Sequence, residues 1–126
     1  MKQEIYSNKA PEPIGPYSQC IKHGNLIFIS GQIAINRETN KIISNNILDE
    51  TKMVMENLKY ILEKCNCSFK NVVKCSIFLS DLNLFNDVNK IYSKYFSEPY
   101  PARETIEVSK LPKNVNLEIS AIAISK

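Results

Sequence analysis

The chain has no tryptophan, and among its 126 residues are only three glycines, one histidine and two arginines. Each shortage excludes something. His23 stands alone, with no serine or cysteine convincingly placed beside it, so neither a nucleophilic triad nor a histidine acid/base pair can be built. Cys65 and Cys67 form a C-x-C pair, which is neither a redox C-x-x-C nor half of a zinc site. With Cys20 and Cys75 they are expected as reduced, buried thiols, and no metal site is expected. No apolar run approaches the roughly 18 residues of a membrane span. The opening MKQEIYSNKAPEPIGPYS lacks the apolar core of a secretory leader, so no membrane partner and a cytoplasmic location are expected.

What is present describes one ordinary globular domain over residues 1–126: 44% hydrophobic residues, 23% charged residues and a net charge of +3. The lysines are scattered and form no basic run, so nucleic acid is not an expected partner. The abundance of Ile, Asn and Lys reads as a compositional bias.

Along the chain, APEPIGPYS (10–18) has three prolines and a glycine, which predicts a stiff extended lead-in. Two strands are expected at about 17–22 and 25–30, joined by a tight hairpin at His23-Gly24. A short strand around 32–35 and a polar loop containing a solvated Arg37 follow. Residues 46–65 place Leu48, Thr51, Met55, Leu58, Leu62 and Cys65 at helical spacing, with Asn46 or Asp49 as cap. The stretch 71–82 returns to period 2, with Val73, Cys75, Ile77 and Leu79 on one face. A second amphipathic helix is expected over 82–98, its aromatics facing the core, and Pro99 and Pro101 stop it. Strands at about 102–108 and 116–125 complete a ββ(β)αβαββ order. The economical fold is an α+β two-layer domain, one sheet with two helices on one face. Because the last strand is apolar on both faces, a partner subunit is expected over the open one.

Two charges interrupt the last strands, Arg103 and Glu118. An arginine in a lysine-rich chain suggests bidentate recognition of a carboxylate, and a glutamate beside it could act as general acid/base. A structural ion pair, or two charges guarding an edge, would leave the same pattern. Register decides whether the two share a face, and the SKLPKNV loop between the strands does not fix it. ISGQ (29–32) ends a strand at a glycine, either as a plain bulge or as a place where a ligand approaches backbone N–H groups. Tyr17, at the start of the first predicted strand, and Asn86 and Asn89, on the second helix, need no function on pattern alone.

The segments IGPYSQ, FISGQI, DLNLFNDVNKIYSKYF and PARETIEVSKLPKNVNLEISAIA, in this order, resemble the Rid family of reactive intermediate deaminases (YjgF-type proteins), the RidA subgroup in particular. The likeness spans nearly the whole chain. It implies a chorismate-mutase-like domain assembled as a homotrimer around a central barrel, with sites in clefts between subunits and no cofactor. It also implies hydrolysis of 2-imino acids and their enamine tautomers to 2-keto acids and ammonia. By the same resemblance Arg103 would hold the substrate carboxylate and Glu118 would serve the attacking water. Tyr17, Ser30, Gly31, Asn89 and Thr105 would line the cleft; position 105 is often Cys in relatives, and Glu104 is an unfamiliar neighbour for the arginine. Members of the family have also been described as RNA-cleaving translation inhibitors and chaperone-like proteins. A sensor that binds a small carboxylate without turnover is a further alternative.

Overall fold

A computed structural model describes all residues from Met1 to Lys126. In chain order the elements are β1 (Gln3–Ile5), β2 (Cys20–His23), β3 (Leu26–Gln32), the short pair β4 (Ile35–Asn36) and β5 (Lys41–Ile42), α1 (Ile47–Lys64), β6 (Val72–Leu79), α2 (Phe85–Tyr92), β7 (Ala102–Glu107) and β8 (Leu117–Ile124). Six strands make one mixed sheet in the order β1-β2-β3-β8-β6-β7, with β6 and β7 parallel and the other pairs antiparallel. This is the expected α+β domain of one sheet and two helices. No helix is long and apolar enough to cross a membrane.

Asn46 caps α1 by accepting from the Asp49 N–H, so the helix starts where its composition says it should. Its buried stripe, Val54, Met55, Leu58, Ile61 and Leu62, lies on the inner sheet face formed by Ile27 and Ile29 of β3, Cys75 and Ile77 of β6, and Ile119 and Ala121 of β8. Leu48 points away from that stripe and is exposed. Glu50, fully buried on α1, ties the helix to β8. Its carboxylate accepts from the Asn116 and Leu117 backbone N–H groups at 2.8 and 3.1 Å and from Asn116 Nδ2 at 2.9 Å.

Several local expectations shift. The first strand of the hairpin begins at Cys20, so Tyr17 lies in the proline-rich lead-in; the Ser18 and Gln19 carbonyls instead receive Ser30 Oγ and Ser30 N–H. The hairpin turn is Gly24-Asn25, with His23 paired to Leu26 and Gly24 at φ +59°, a left-handed conformation suited to glycine. The short strand expected around 32–35 is β4, displaced to Ile35–Asn36 because β3 itself runs on to Gln32, while β1 and β5 are additional. Val73 is exposed because one extra residue is accommodated between Val72 and Lys74, which turns it off the inner face. The second helix stops at Tyr92. Lys94 and Tyr95 continue with i−3 bonds to Ile91 and Tyr92, a turn that lets Tyr95 and Phe96 pack edge-on against Phe69.

The outer sheet face is uncovered. Leu26, Phe28, Ile106 and Ile124 are each between 41% and 45% exposed, and register places Ile122 and Phe78 among them. Apolar side chains so arranged form a contiguous surface of the kind that marks an interface.

Candidate active site

Arg103 is held on the inner side of the sheet, at its rim. It pairs in register with Cys75, whose side chain faces the helices, and β7 is the last strand, so the guanidinium reaches α2. Nη1 donates to Asn89 Oδ1 at 2.9 Å, and Cζ lies 4.9 Å from the Tyr92 ring centroid and 5.5 Å from that of Phe85. Two aromatic faces and one amide thus fix the plane of the fork. No carboxylate pairs with it: the chain's ion pairs are Arg37–Glu12, Lys74–Glu104 and Lys90–Asp87. The guanidinium faces a cleft of about 310 Å³ lined by Asn89, Tyr92, Ser93, Tyr100 and Pro101. Thr105, two residues along on the same face, borders an adjoining hollow with Phe85 and Asn86. The hydroxyls of Thr105 and Tyr92 are buried with no hydrogen-bond partner. Buried donors of this kind are rare without a ligand, water or partner to meet them. Burial pushes the Tyr92 phenol and the underlying Cys75 thiol upward in pKa, so both remain protonated at neutral pH.

Glu118 belongs to a second, narrower cleft walled by Pro11, Pro13, Ile14, Tyr17, Gly31 and Pro112. The bulge between Ile29 and Gln32 creates the opening, since Ser30 and Gly31 add one residue to β3. A Cβ on Gly31 would lie 2.7 Å from Glu118 Cδ and 2.9 Å from its Cγ, so only glycine leaves room for the carboxylate. Ser30 Oγ donates to the Ser18 carbonyl at 2.6 Å and pins the bulge to the lead-in, while the Ile14 N–H donates to Tyr17 Oη at 3.3 Å. Burial pushes the Glu118 carboxyl above its ordinary pKa.

The predicted residues therefore form two groups. Arg103, Asn89 and Thr105 are together on the inner face; Glu118, Gly31 and Tyr17 are together around the bulge, with Ser30 holding it in place. Arg103 pairs with Cys75 and Glu118 with Phe78, and those residues project to opposite sides of β6. Within one chain the two charges form neither an ion pair nor a common site, and no guanidinium of the same chain favours ionised Glu118. Glu104 also faces away from Arg103. It accepts from Ser76 Oγ and pairs with Lys74 at 3.3 Å, which holds its carboxyl below the usual range. Asn89 is an arginine ligand and not surface decoration. The flanking roles of Phe85 and Tyr92 were not read from the sequence, where helical spacing assigned both rings to the core. Phe85 and Tyr92 stand four residues before and three after Asn89, one turn either way on α2, and that shared face is the signal that a cation bound to Asn89 would meet both rings.

A sequence profile described as Endoribonuclease L-PSP, which is the YjgF/Rid family, matches residues 7–125. The chain belongs to the Rid family. A RutC family protein of Pyrococcus abyssi is 52% identical over 122 residues, covering 97% of this chain and 96% of that one. The human protein named 2-iminobutanoate/2-iminopropanoate deaminase is 41% identical over 124 residues, covering 98% and 90%. Among solved structures, E. coli TdcF with bound serine superposes with a TM-score of 0.94 at 36% identity, covering 98% of this chain and 99% of that one. A RidA structure from Psychrobacter superposes with a TM-score of 0.93 at 38% identity over 97% of this chain and 98% of that one, so the fold is that of solved Rid-family members over nearly the whole chain.

Proposed function

We propose that the protein is a 2-iminobutanoate/2-iminopropanoate deaminase, a cofactor-independent hydrolase that converts 2-imino acids to 2-keto acids and ammonia. The observation that carries this reading is Arg103: a guanidinium oriented by Asn89, Phe85 and Tyr92, free of any carboxylate of its own chain, and facing an open cleft beside two unpartnered buried hydroxyls. Such a group suits an α-carboxylate ligand. The name of the human relative, and the serine bound to E. coli TdcF, support the same ligand class.

The complete site is assembled between copies of the chain. Arg103 lies at the rim strand of the sheet and Glu118 on its uncovered apolar face, which supports a second copy laid over that face so that one copy's arginine meets another's glutamate. A homotrimer that closes the outer faces around a central barrel meets this requirement with equivalent interfaces. The free, buried cysteines suit a reducing, cytoplasmic compartment.

In the reaction, Arg103 clamps the carboxylate and so fixes the adjacent C=N carbon. An enamine substrate first tautomerises to the imine by protonation at C3. Ionised Glu118 takes a proton from water as its oxygen bonds to the iminium carbon, giving a 2-amino-2-hydroxy acid. Glu118 then returns its proton to the amino group. Collapse of the adduct forms the C=O bond and breaks the C–N bond to release ammonia. The hydroxyl proton passes to the Glu118 carboxylate and from it to ammonia, which leaves as ammonium. The raised basicity of a half-buried carboxylate suits it to this exchange, and general-base assistance contributes about 10²–10⁴-fold. The test is keto-acid release in the presence of an amino-acid oxidase that generates the imine in place. Acceleration by wild type, absent in Arg103→Ala and Glu118→Gln, is expected. No acceleration over solvent hydrolysis, with retained binding of pyruvate, would assign the cleft to sensing; RNA cleavage unaffected by Glu118→Gln would assign the protein to the endoribonuclease reading.

A further inference from the structure

Arg37, expected in solvent, is bonded through both terminal nitrogens of its guanidinium. It sits in the turn between β4 and β5, where Nη1 donates to the Ala10 carbonyl at 2.7 Å. Nη2 donates to Tyr6 Oη at 3.1 Å and to Glu12 Oε1 at 2.9 Å. Its Cζ is 6.0 Å from the Tyr6 ring centroid, and Tyr6 Oη donates to the same Glu12 oxygen. These contacts converge on the outside of segment 10–14, whose Pro11, Glu12, Pro13 and Ile14 form one wall of the Glu118 cleft.

That wall has little backbone bonding of its own. Pro11, Pro13 and Pro16 carry no N–H, and the local backbone bonds are Ala10 N–H to Ser7 and Tyr17 N–H to Gly15. Side chains hold it instead. From the inside, buried Gln19 donates Nε2 to the Pro11 and Ala10 carbonyls at 2.8 and 3.4 Å and to that of Ser7 at 3.1 Å. Tyr17 Oη accepts from the Ile14 N–H at 3.3 Å, and from the outside Arg37 ties down Ala10 and Glu12. Charge adds a second consequence. Glu12 lines the same cleft as Glu118, so without Arg37 an unpaired carboxylate would stand where an anionic substrate must enter.

We propose that Arg37 is a positioning residue, a latch that fixes the proline-rich wall of the Glu118 cleft and neutralises Glu12 at its rim. The functional half of this inference rests on the deaminase reading; the latch itself does not.

The test pairs backbone ¹⁵N order parameters at Glu12, Ile14 and Gly15 with steady-state kinetics, in wild type, Arg37→Ala, Arg37→Lys and Arg37→Ala/Glu12→Gln. In Arg37→Ala the order parameters should fall from about 0.85 to below about 0.6. KM should rise about tenfold while kcat stays within about twofold, because the wall shapes binding and does not touch the reacting carbon. Arg37→Lys should recover part of KM by pairing Glu12, yet leave the wall loose, since one ammonium cannot also span Ala10 and Tyr6. Adding Glu12→Gln should likewise lower KM without restoring order. A wall that stays rigid in Arg37→Ala, or a loosened wall with unchanged KM, would overturn the proposal while leaving the deaminase reading intact. If wild type has no turnover, that reading fails by itself, and the affinity for pyruvate replaces KM as the readout of the latch.

Discussion

Arg103 and Glu118 stand on opposite faces of one sheet, with β6 between their strands: Arg103 is level with Cys75, and Glu118 with Phe78. Residues of odd separation along a strand project to opposite sides, so no side-chain rotation brings the two together within a chain. A carboxylate clamp and a water-activating carboxylate can cooperate here only across a contact between copies.

That relationship predicts intersubunit complementation. Co-expressed or co-refolded Arg103→Ala and Glu118→Gln chains, each inactive alone, should regain about a quarter of wild-type activity. Random assortment in a closed ring gives one site in about four an intact arginine from one neighbour and an intact glutamate from the other. Keto-acid release from the mixture measures this, and a mixture as inactive as its components would return both residues to separate roles.

Gly31→Ala should damage Glu118 with little effect on the fold. The new methyl group would lie 2.7 Å from Glu118 Cδ, so the carboxylate must turn out of its cleft. Activity should fall about 10²-fold or more, with a stability loss of about 1–3 kcal/mol. Activity assays alongside a thermal melt separate the two effects. Retained activity would mean that the carboxylate's position is immaterial.

The Glu118 carboxyl is raised above 4.5 by burial, and the sign of the linkage follows. The native state binds this proton more tightly than the unfolded state. Glu118 therefore costs stability as pH rises from the ordinary carboxylate range through the raised value, and the cost persists above it. Glu118→Gln should thus gain stability relative to wild type at about pH 7 and much less at about pH 4, read from denaturant midpoints. The proposed intersubunit site predicts that a second copy's Arg103 opposes burial by favouring the ionised form. Arg103→Ala should accordingly move the Glu118 titration, followed by NMR, to higher pH. An unmoved titration would separate the two groups in space.

Glu50→Ala should be the most destabilising of these changes. It strips the partners from the Asn116 and Leu117 N–H groups and from the Asn116 amide at the point where β8 begins. Each buried donor left unpaired costs about 1–3 kcal/mol, so a loss of several kcal/mol is expected, which urea denaturation would register. A loss below about 1 kcal/mol would mean that water takes the carboxylate's place.

Much of this architecture was legible in local pattern. Asn46 and the Val54–Leu58–Ile61 spacing suffice to start α1 and aim it, because capping and helical period act within one or two turns. The alternation of Leu117, Ile119, Ala121 and Ala123 marks β8 as clearly, and the glycine of ISGQ pointed to the bulge. The uncovered outer face also followed from sequence, since an apolar residue on each side of a strand requires two coverings.

The remainder depended on contacts between residues distant in the chain. Val73 leaves the core because β6 takes an extra residue against β8, a fact of pairing that its own alternation contradicts. Arg37 looks like a turn residue until β1 and the lead-in deliver Tyr6, Ala10 and Glu12 to it. Above all, β7 and β8 follow one another in sequence yet are separated by β6 in the sheet. The identities of Arg103 and Glu118, and the chemistry each can perform, were fixed by the amino-acid sequence. Their division between two faces was decided only by strand order and register, since side chains alternate with a period of two and each crossing from strand to strand sets that parity anew.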